Sequence, residues 1–226
     1  MEEKDRITLV CTSTGENMSL LQKMLDSRYG KSGDLFDENI IHLNGKVIRI
    51  NGEHTQLPKL FNIPDAYNFI IGNFVKTQWV CCMPDDDHFY SQGLSKMIDE
   101  VHNGITAGVA HFRFTVSGHI PKQDIRGRSI KLLTGKSEYE LCEKRKITPA
   151  LLKKHGRLPA VSFFRKRAWE MVGGFSGEFE HDRILWTKMA KKGIEFKFFD
   201  YLVYNYVRRD NSAWIKQNSI NPNIPE

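Results

Sequence analysis

Three consecutive carboxylates, Asp85-Asp86-Asp87, follow directly on the apolar run Trp79–Met83, WVCCM, with Pro84 between. Like charges this close repel one another unless a cation lies among them. Carboxylate oxygens are hard ligands that suit Mg²⁺ or Mn²⁺, and those ions suit diphosphates. A second acidic position, Asp182, sits in His181-Asp182, shortly after the turn Gly173-Gly174-Phe175 and at the start of an amphipathic stretch. An aspartate there serves either as a general base or as a helix N-cap, and the residues alone leave both open. A lone acidic triplet is usually a solvated turn capping the next helix. The apolar strand in front of this one argues for a site, because open α/β sheets bind ligands at the carboxyl ends of their strands.

Other chemistries fit less well. Gly135-Lys136-Ser137 looks like the end of a phosphate-binding P-loop. The preceding glycine, Gly127, is too far away for that motif, and no apolar strand leads into it. The eight histidines are scattered and form no H-E-x-x-H pair, which argues against a zinc hydrolase. His88, just after the acidic triplet, could assist the site or stand outside it. Cys11, Cys81, Cys82 and Cys142 contain no C-x-x-C pair, so buried free thiols in a reducing cytoplasmic setting are expected.

The elements that must hold these residues read as an α/β pattern. Ile7–Cys11 is a continuous apolar strand, covered on both faces. It is followed by Thr12-Ser13-Thr14-Gly15 and by a helix with Met18, Leu21 and Leu25 in phase, stopping at Gly30. Asn39–Leu43 and Val47–Ile50 flank Asn44-Gly45, either as a hairpin turn or as a loop facing ligand at the end of a central strand. Leu57–Val75 reads as helix interrupted near Pro64. Trp79–Met83 is a strand, Leu94 to Val101 an amphipathic helix, and Ala107–Val116 a strand. Residues 117–158 are basic and weakly periodic, which predicts an insertion. Ala160–Phe164 is a strand, Lys166–Val172 a short helix, and Arg183–Lys192 a helix ended by Gly193. Phe196–Phe199 and Leu202–Val207 read as two terminal strands. A chain of 226 residues suits one such domain spanning 1–226.

Charge is distributed unevenly. The formal net charge is +6, but Lys122 to Arg167 holds fourteen Lys/Arg against four Asp/Glu, an excess of ten, leaving −4 for the rest. Lys131 and Lys136 lie within this segment, and such a field attracts anionic partners. No apolar stretch approaches the roughly 20 residues needed to cross a bilayer, and the charged N-terminus does not read as a signal peptide. A cytoplasmic protein is therefore expected.

The order of these features resembles glycosyltransferase family 2 and its GT-A relatives. Thr12-Ser13-Thr14 sits where that family carries its nucleotide loop, and Pro84-Asp85-Asp86-Asp87 where it carries the DxD motif. Val172-Gly173-Gly174-Phe175, then His181-Asp182, then Leu185, is similar to its GGF…ED…L segment. Tyr204, Tyr206 and Arg208-Arg209 fall where a late Y-x-x-R/H element lies. The resemblance covers about residues 7–115 and 159–212.

It implies a GT-A fold, a mainly parallel mixed sheet flanked by helices, and a nucleoside-diphosphate sugar as donor. Asp85 and Asp87 would hold Mn²⁺ or Mg²⁺, with Asp85 and Asp86 also near the donor. Thr12, Ser13 and Thr14 would line the nucleotide, and Arg208 or Arg209 would steady the departing phosphate. Asp182 would be the general base of an inverting displacement. His181, Gly174, Lys131 and Lys136 would lie on the acceptor side. This chain departs from the family in having no aromatic in the first loop, His181 in place of a glutamate, and Asn44-Gly45 where a nucleotide-contacting aspartate is expected. These departures bear on which donor is taken.

The basic segment suits a phosphate backbone, so the acceptor could be DNA bearing a hydroxylated base, as in phage DNA modification. A glycan or lipid-linked acceptor is the alternative. Two rivals differ in class. A nucleotidyltransferase would carry a basic, glycine-rich first loop, whereas this loop is Thr/Ser-rich. A nucleic-acid-binding module would use the acidic cluster only structurally.

Overall fold

The computed structural model describes residues 5–208 apart from 14, 16–17, 31–32, 44–45, 50–53, 57–61, 119–132, 134–137, 156–157, 159 and 178–179. In chain order the elements are β1 (Ile7–Ser13), α1 (Met18–Ser27), the short pair β2 (Tyr29–Gly30) and β3 (Gly33–Asp34), then β4 (Glu38–Leu43), β5 (Lys46–Arg49) and β6 (His54–Gln56). Next come α2 (Ile63–Asn73), β7 (Trp79–Pro84), β8 (His88–Phe89), α3 (Ser91–His102) and β9 (Val109–Gly118). The rest is β10 (Glu138–Leu141), α4 (Pro149–His155), β11 (Phe163–Arg165), α5 (Lys166–Met171), α6 (His181–Lys191) and β12 (Phe196–Arg208).

One mixed sheet runs β6-β5-β4-β1-β7-β11-β9-β12-β8, with β10 also paired to β9. Its long ladders are parallel: β1 with β4 and β7, and β9 with β12. The antiparallel ladders are short, such as β11 against β7 and β8 against β12. This is the mainly parallel α/β sheet that the pattern predicts.

Side-chain alternation builds two cores from single strands. Along β7, Trp79, Cys81 and Met83 face one layer, with Leu21 and Met24 of α1 and Leu94, Met97 and Val101 of α3. Val80 and Cys82 face the other, with Tyr67, Ile70 and Ile71 of α2 and Leu185, Trp186 and Met189 of α6. A strand buried on both faces needs no polar alternation, which explains the unbroken WVCCM. Each large apolar side chain buried this way stabilises the fold by about 1.5–3 kcal/mol relative to exposure.

Several boundaries differ from expectation, each for a local reason. α1 ends at Ser27, whose hydroxyl donates back to the Met24 carbonyl, and Gly30 lies beyond it in β2. Pro64 starts a helix instead of interrupting one: it lies in the first turn of α2, where no intrahelical N–H is needed, and Asn62 caps it by accepting from Asp65 N–H at 2.9 Å. β4 lies parallel to β1 and antiparallel to β5, and residues 44 and 45, on which the choice between a turn and a ligand-facing loop falls, lie outside the described residues. The two terminal strands are one, β12, whose register shifts at Phe199/Leu202 and Leu202/Tyr204 mimic a break in the pattern. Part of 117–158 is regular: β10 extends the sheet, and α4 contributes Leu152 to the α2/α6 core. Cys11, Cys81 and Cys82 are buried thiols as expected, whereas Cys142 is exposed.

Candidate active site

β1 and β7 lie side by side and end together, Thr12 opposite Pro84. The next residues therefore meet at the carboxyl edge of the sheet. Ser13 Oγ donates to Asp85 Oδ2 at 2.5 Å, and Gly15 N–H donates to the same Ser13 oxygen at 3.1 Å. Thr12, one residue earlier and so on the opposite face, hydrogen-bonds the Tyr67 hydroxyl of α2. The expected nucleotide-loop residues thus split. Ser13 supports the acidic turn, Thr12 ties β1 to α2, and Thr14 lies outside the described residues.

Asp87 is placed by β12. The β8–β12 ladder pairs Phe89 with Tyr204 and His88 with Asn205. One further step along that register brings Asp87 beside Tyr206, and Val207 N–H donates to Asp87 Oδ1 at 2.8 Å. Asp87 is only 2% exposed, and a carboxylate that deep requires polar partners. Asp85 and Asp86 are half-buried. His88 turns elsewhere: its ring lies 6.0 Å from that of Tyr90. Burial, followed by Lys23, lowers its pKa against the pull of Glu138.

The Asp182 side is held by a clasp. Asn68 of α2 accepts from Phe175 N–H at 2.8 Å and donates to the Phe175 carbonyl at 2.9 Å. Lys188 of α6 donates to the Gly174 carbonyl at 3.1 Å. Gly174 has φ +71°, and a Cβ there would meet Asn68 Oδ1 at 2.5 Å and the Trp169 ring at 3.0 Å, so only glycine fits. Gly174 therefore packs inward against α2 and α5.

The N-cap of α6 is Glu180, not Asp182. Glu180 adopts φ 51°, alone among the described non-glycine residues in the left-handed region, and pairs with Arg183. Asp182 is in the first turn, half-buried, with its side chain not used for capping. His181 packs inward, its ring 5.8 Å from Phe175 and 6.3 Å from Tyr67. Burial lowers its pKa, opposed by Asp182.

Both acidic regions bear electrostatically on the end of β12. The Tyr206 phenol is pushed up to about 12, by burial first, then by the charge of Asp87, with Asp86 and Asp182 adding and Arg208 opposing. Tyr204, fully buried, is also raised, by burial and then by Asp87, Tyr206 and Asp182. On the other side, Cys11 is raised by burial and then by Asp85 and Asp86. The Arg208 guanidinium lies 5.9 Å from the Tyr206 ring centre. Asp86, Asp87, Asp182 and Arg208 are thus all within electrostatic reach of the half-buried Tyr206 phenol.

Arg209, Lys131 and Lys136 lie outside the described residues. Among the described residues, no group of three His, Cys, Asp or Glu side chains could by itself hold a metal ion. Mg²⁺ in nucleotide sites is commonly held by one or two carboxylates with substrate phosphates completing the shell. Asp85 and Asp87 match that donor set, with Ser13 and Val207 N–H each fixing one of their oxygens. A separate cleft of about 210 Å³, lined by Lys96, Arg113, Asp200 and Tyr201 among others, shares no residue with this edge. Sequence reasoning missed Asn68 and Tyr67, which carry no motif, and left Tyr206 without a role. Alternation along β12 from the buried Tyr204 could have pointed to it.

No protein-family model matches the chain, and no curated protein matches it. Its fold does match solved structures of TarS from S. aureus. The piece 1–349 of TarS superposes with a TM-score of 0.59 at 10% identity, over 89% of this chain and 60% of that one. The same piece in complex with UDP-GlcNAc gives 0.59 at 12% identity, over 92% and 60%. Its complex with UDP gives 0.54 at 12% identity, over 91% and 61%. The chain spans about 60% of the length of that solved piece. What the likeness establishes is the fold.

Proposed function

We propose that the protein is a glycosyltransferase that moves a sugar from a nucleoside-diphosphate donor, with inversion, to an acceptor hydroxyl. The observation that carries this reading is the acidic turn at the carboxyl edge of the sheet, with Asp85 held by Ser13 and Asp87 by Val207 N–H. The shared fold supports it, since TarS has been solved with UDP-GlcNAc and with UDP.

In this reading Asp182 takes the proton of the acceptor hydroxyl, and the acceptor oxygen bonds to the anomeric carbon. The bond from that carbon to the diphosphate breaks, and its electron pair leaves with the nucleoside diphosphate. Asp85 and Asp87 would hold Mn²⁺ or Mg²⁺, which supplies charge neutralisation for the departing diphosphate. Ser13 keeps Asp85 in place, and Val207 N–H does the same for Asp87. Arg208 adds positive charge beside them. No helix among the described residues is long and apolar enough to cross a membrane.

The acceptor we favour is anionic. The excess of ten positive charges between Lys122 and Arg167 supports this, and DNA with a hydroxylated base is the specific candidate. The test is a melting-temperature screen of nucleotide sugars with and without Mn²⁺, followed by transfer assays. A donor that binds the native state raises the midpoint. Indifference to every nucleotide sugar would remove the proposal. For the acceptor, DNA affinity that does not fall with salt would remove DNA.

A further inference from the structure

Tyr204 and Tyr206 alternate onto the same face of β12, but their surroundings differ. Tyr204 is 1% exposed and stacks on Phe114 with ring centres 5.3 Å apart, and its hydroxyl is hydrogen-bonded to the Val161 backbone. It belongs to the core. Tyr206, two residues nearer the sheet edge, is half-buried and packs only its ring against that core. A phenylalanine would pack equally well, so the hydroxyl calls for a separate reason.

Its surroundings supply one. By register Tyr206 stands beside Asp87, and residues directly opposite across an antiparallel pair have Cβ atoms about 4.5–5.5 Å apart on one face. The Arg208 guanidinium lies 5.9 Å from the centre of the same ring. Standing beside Asp87 and Arg208, Tyr206 lies at the end of the site that the proposed reaction gives to the diphosphate. A neutral donor flanked by a cation-holding carboxylate and a guanidinium is suited to a phosphate oxygen.

We infer that the Tyr206 hydroxyl donates a hydrogen bond to the terminal phosphate of the donor's nucleoside diphosphate, the phosphate that leaves with the nucleoside. This rests on the donor-diphosphate reading above and names a contact that reading does not assign. The role is distinct from that of Arg208, which supplies charge, because a phenol supplies direction without charge.

Calorimetric titration in excess Mn²⁺ tests it. UDP, GDP, CDP, ADP and dTDP are titrated into the wild-type protein, and the one that binds is compared with its monophosphate in Tyr206→Phe. The variant should weaken the diphosphate roughly tenfold or more, as for loss of one hydrogen bond to a charged group. The monophosphate should change less than about twofold, because it lacks the oxygen in question. Equal weakening of both, or no weakening of either, overturns the inference alone. A wild-type protein that binds none of the five overturns the donor reading and this inference with it. Should Tyr206→Phe fail to fold, a fluorinated tyrosine at 206 keeps the shape and is a stronger donor. It should tighten the diphosphate relative to the monophosphate, and an unchanged ratio overturns the inference.

Discussion

The Ser13 hydroxyl donates to Asp85 across 2.5 Å, joining two residues 72 positions apart at the ends of adjacent parallel strands. Each lies where its strand leaves the sheet, so the bond fixes the acidic turn to the first strand. Ser13→Ala should leave the fold intact, because the residue is at a strand end and alanine fits the same backbone. Losing one hydrogen bond to a carboxylate corresponds to about 1.5–3 kcal/mol. Affinity for Mn²⁺ with nucleoside diphosphate should therefore drop by roughly tenfold or more. Calorimetry on the variant checks this, and an unchanged affinity would place the Ser13–Asp85 contact outside the donor site.

Asp87 and Asp182 should separate binding from chemistry. Asp87→Asn keeps an oxygen to accept from Val207 N–H, so β12 stays docked while the negative charge is lost. That variant should lose metal-dependent donor binding and turnover together. Asp182→Asn should bind donor normally, while transfer slows by about 10²–10⁴, the usual range for removing a general base. Steady-state kinetics with direct donor binding distinguishes the two. Normal transfer in Asp182→Asn would assign the base elsewhere.

The clasp on the Gly173-Gly174-Phe175 turn predicts a stability effect. Asn68 satisfies both the N–H and the carbonyl of Phe175. Asn68→Ala strands both, which should destabilise the protein by roughly 2–4 kcal/mol. Asn68→Asp should be similarly harmful, since a carboxylate cannot donate to the carbonyl. Gly174→Ala adds a Cβ where φ is +71° and no room exists, and it should cost at least about 2 kcal/mol. Urea unfolding midpoints measure all three.

His111 makes stability depend on pH. It is 1% exposed beside the Phe198 ring, and burial lowers it to about 4, with Glu143 opposing. The native imidazole resists protonation, while the unfolded one takes a proton near its ordinary value of about 6.5. Between those values the unfolded state binds more protons, so stability falls as pH falls from about 6.5 towards 4. The full effect is roughly 3 kcal/mol, of which about 2 should be lost by pH 5. His111→Gln should flatten that part of the curve. Parallel slopes for the two proteins in urea titrations at pH 7 and 5 would assign the acid sensitivity to other groups.

Much of the fold was legible because buried parallel strands have an unmistakable composition. Ile7–Cys11 and Trp79–Met83 read as strands and lie within β1 and β7, and the acidic triplet lies at a strand end, where pattern placed it. What misled was local chemistry with two uses. Pro64 can break a helix or begin one, and only Asn62 in the capping position decides. The bulged stretch between Phe199 and Tyr204 interrupts alternation without ending pairing. Asn68 was invisible for another reason: its partner is the backbone of a turn 107 positions away, and no spacing rule links a side chain to a distant peptide group.

The long ladder between β9 and β12 has a further consequence. β12 is the last described strand, and it delivers Tyr206, Arg208 and the N–H that holds Asp87. A chain interrupted before Phe196 would lack the N–H that holds Asp87, together with Tyr206 and Arg208. The N–H that holds Asp87 comes from a residue 120 positions later, so the acidic turn takes its final form only once β12 has joined the sheet.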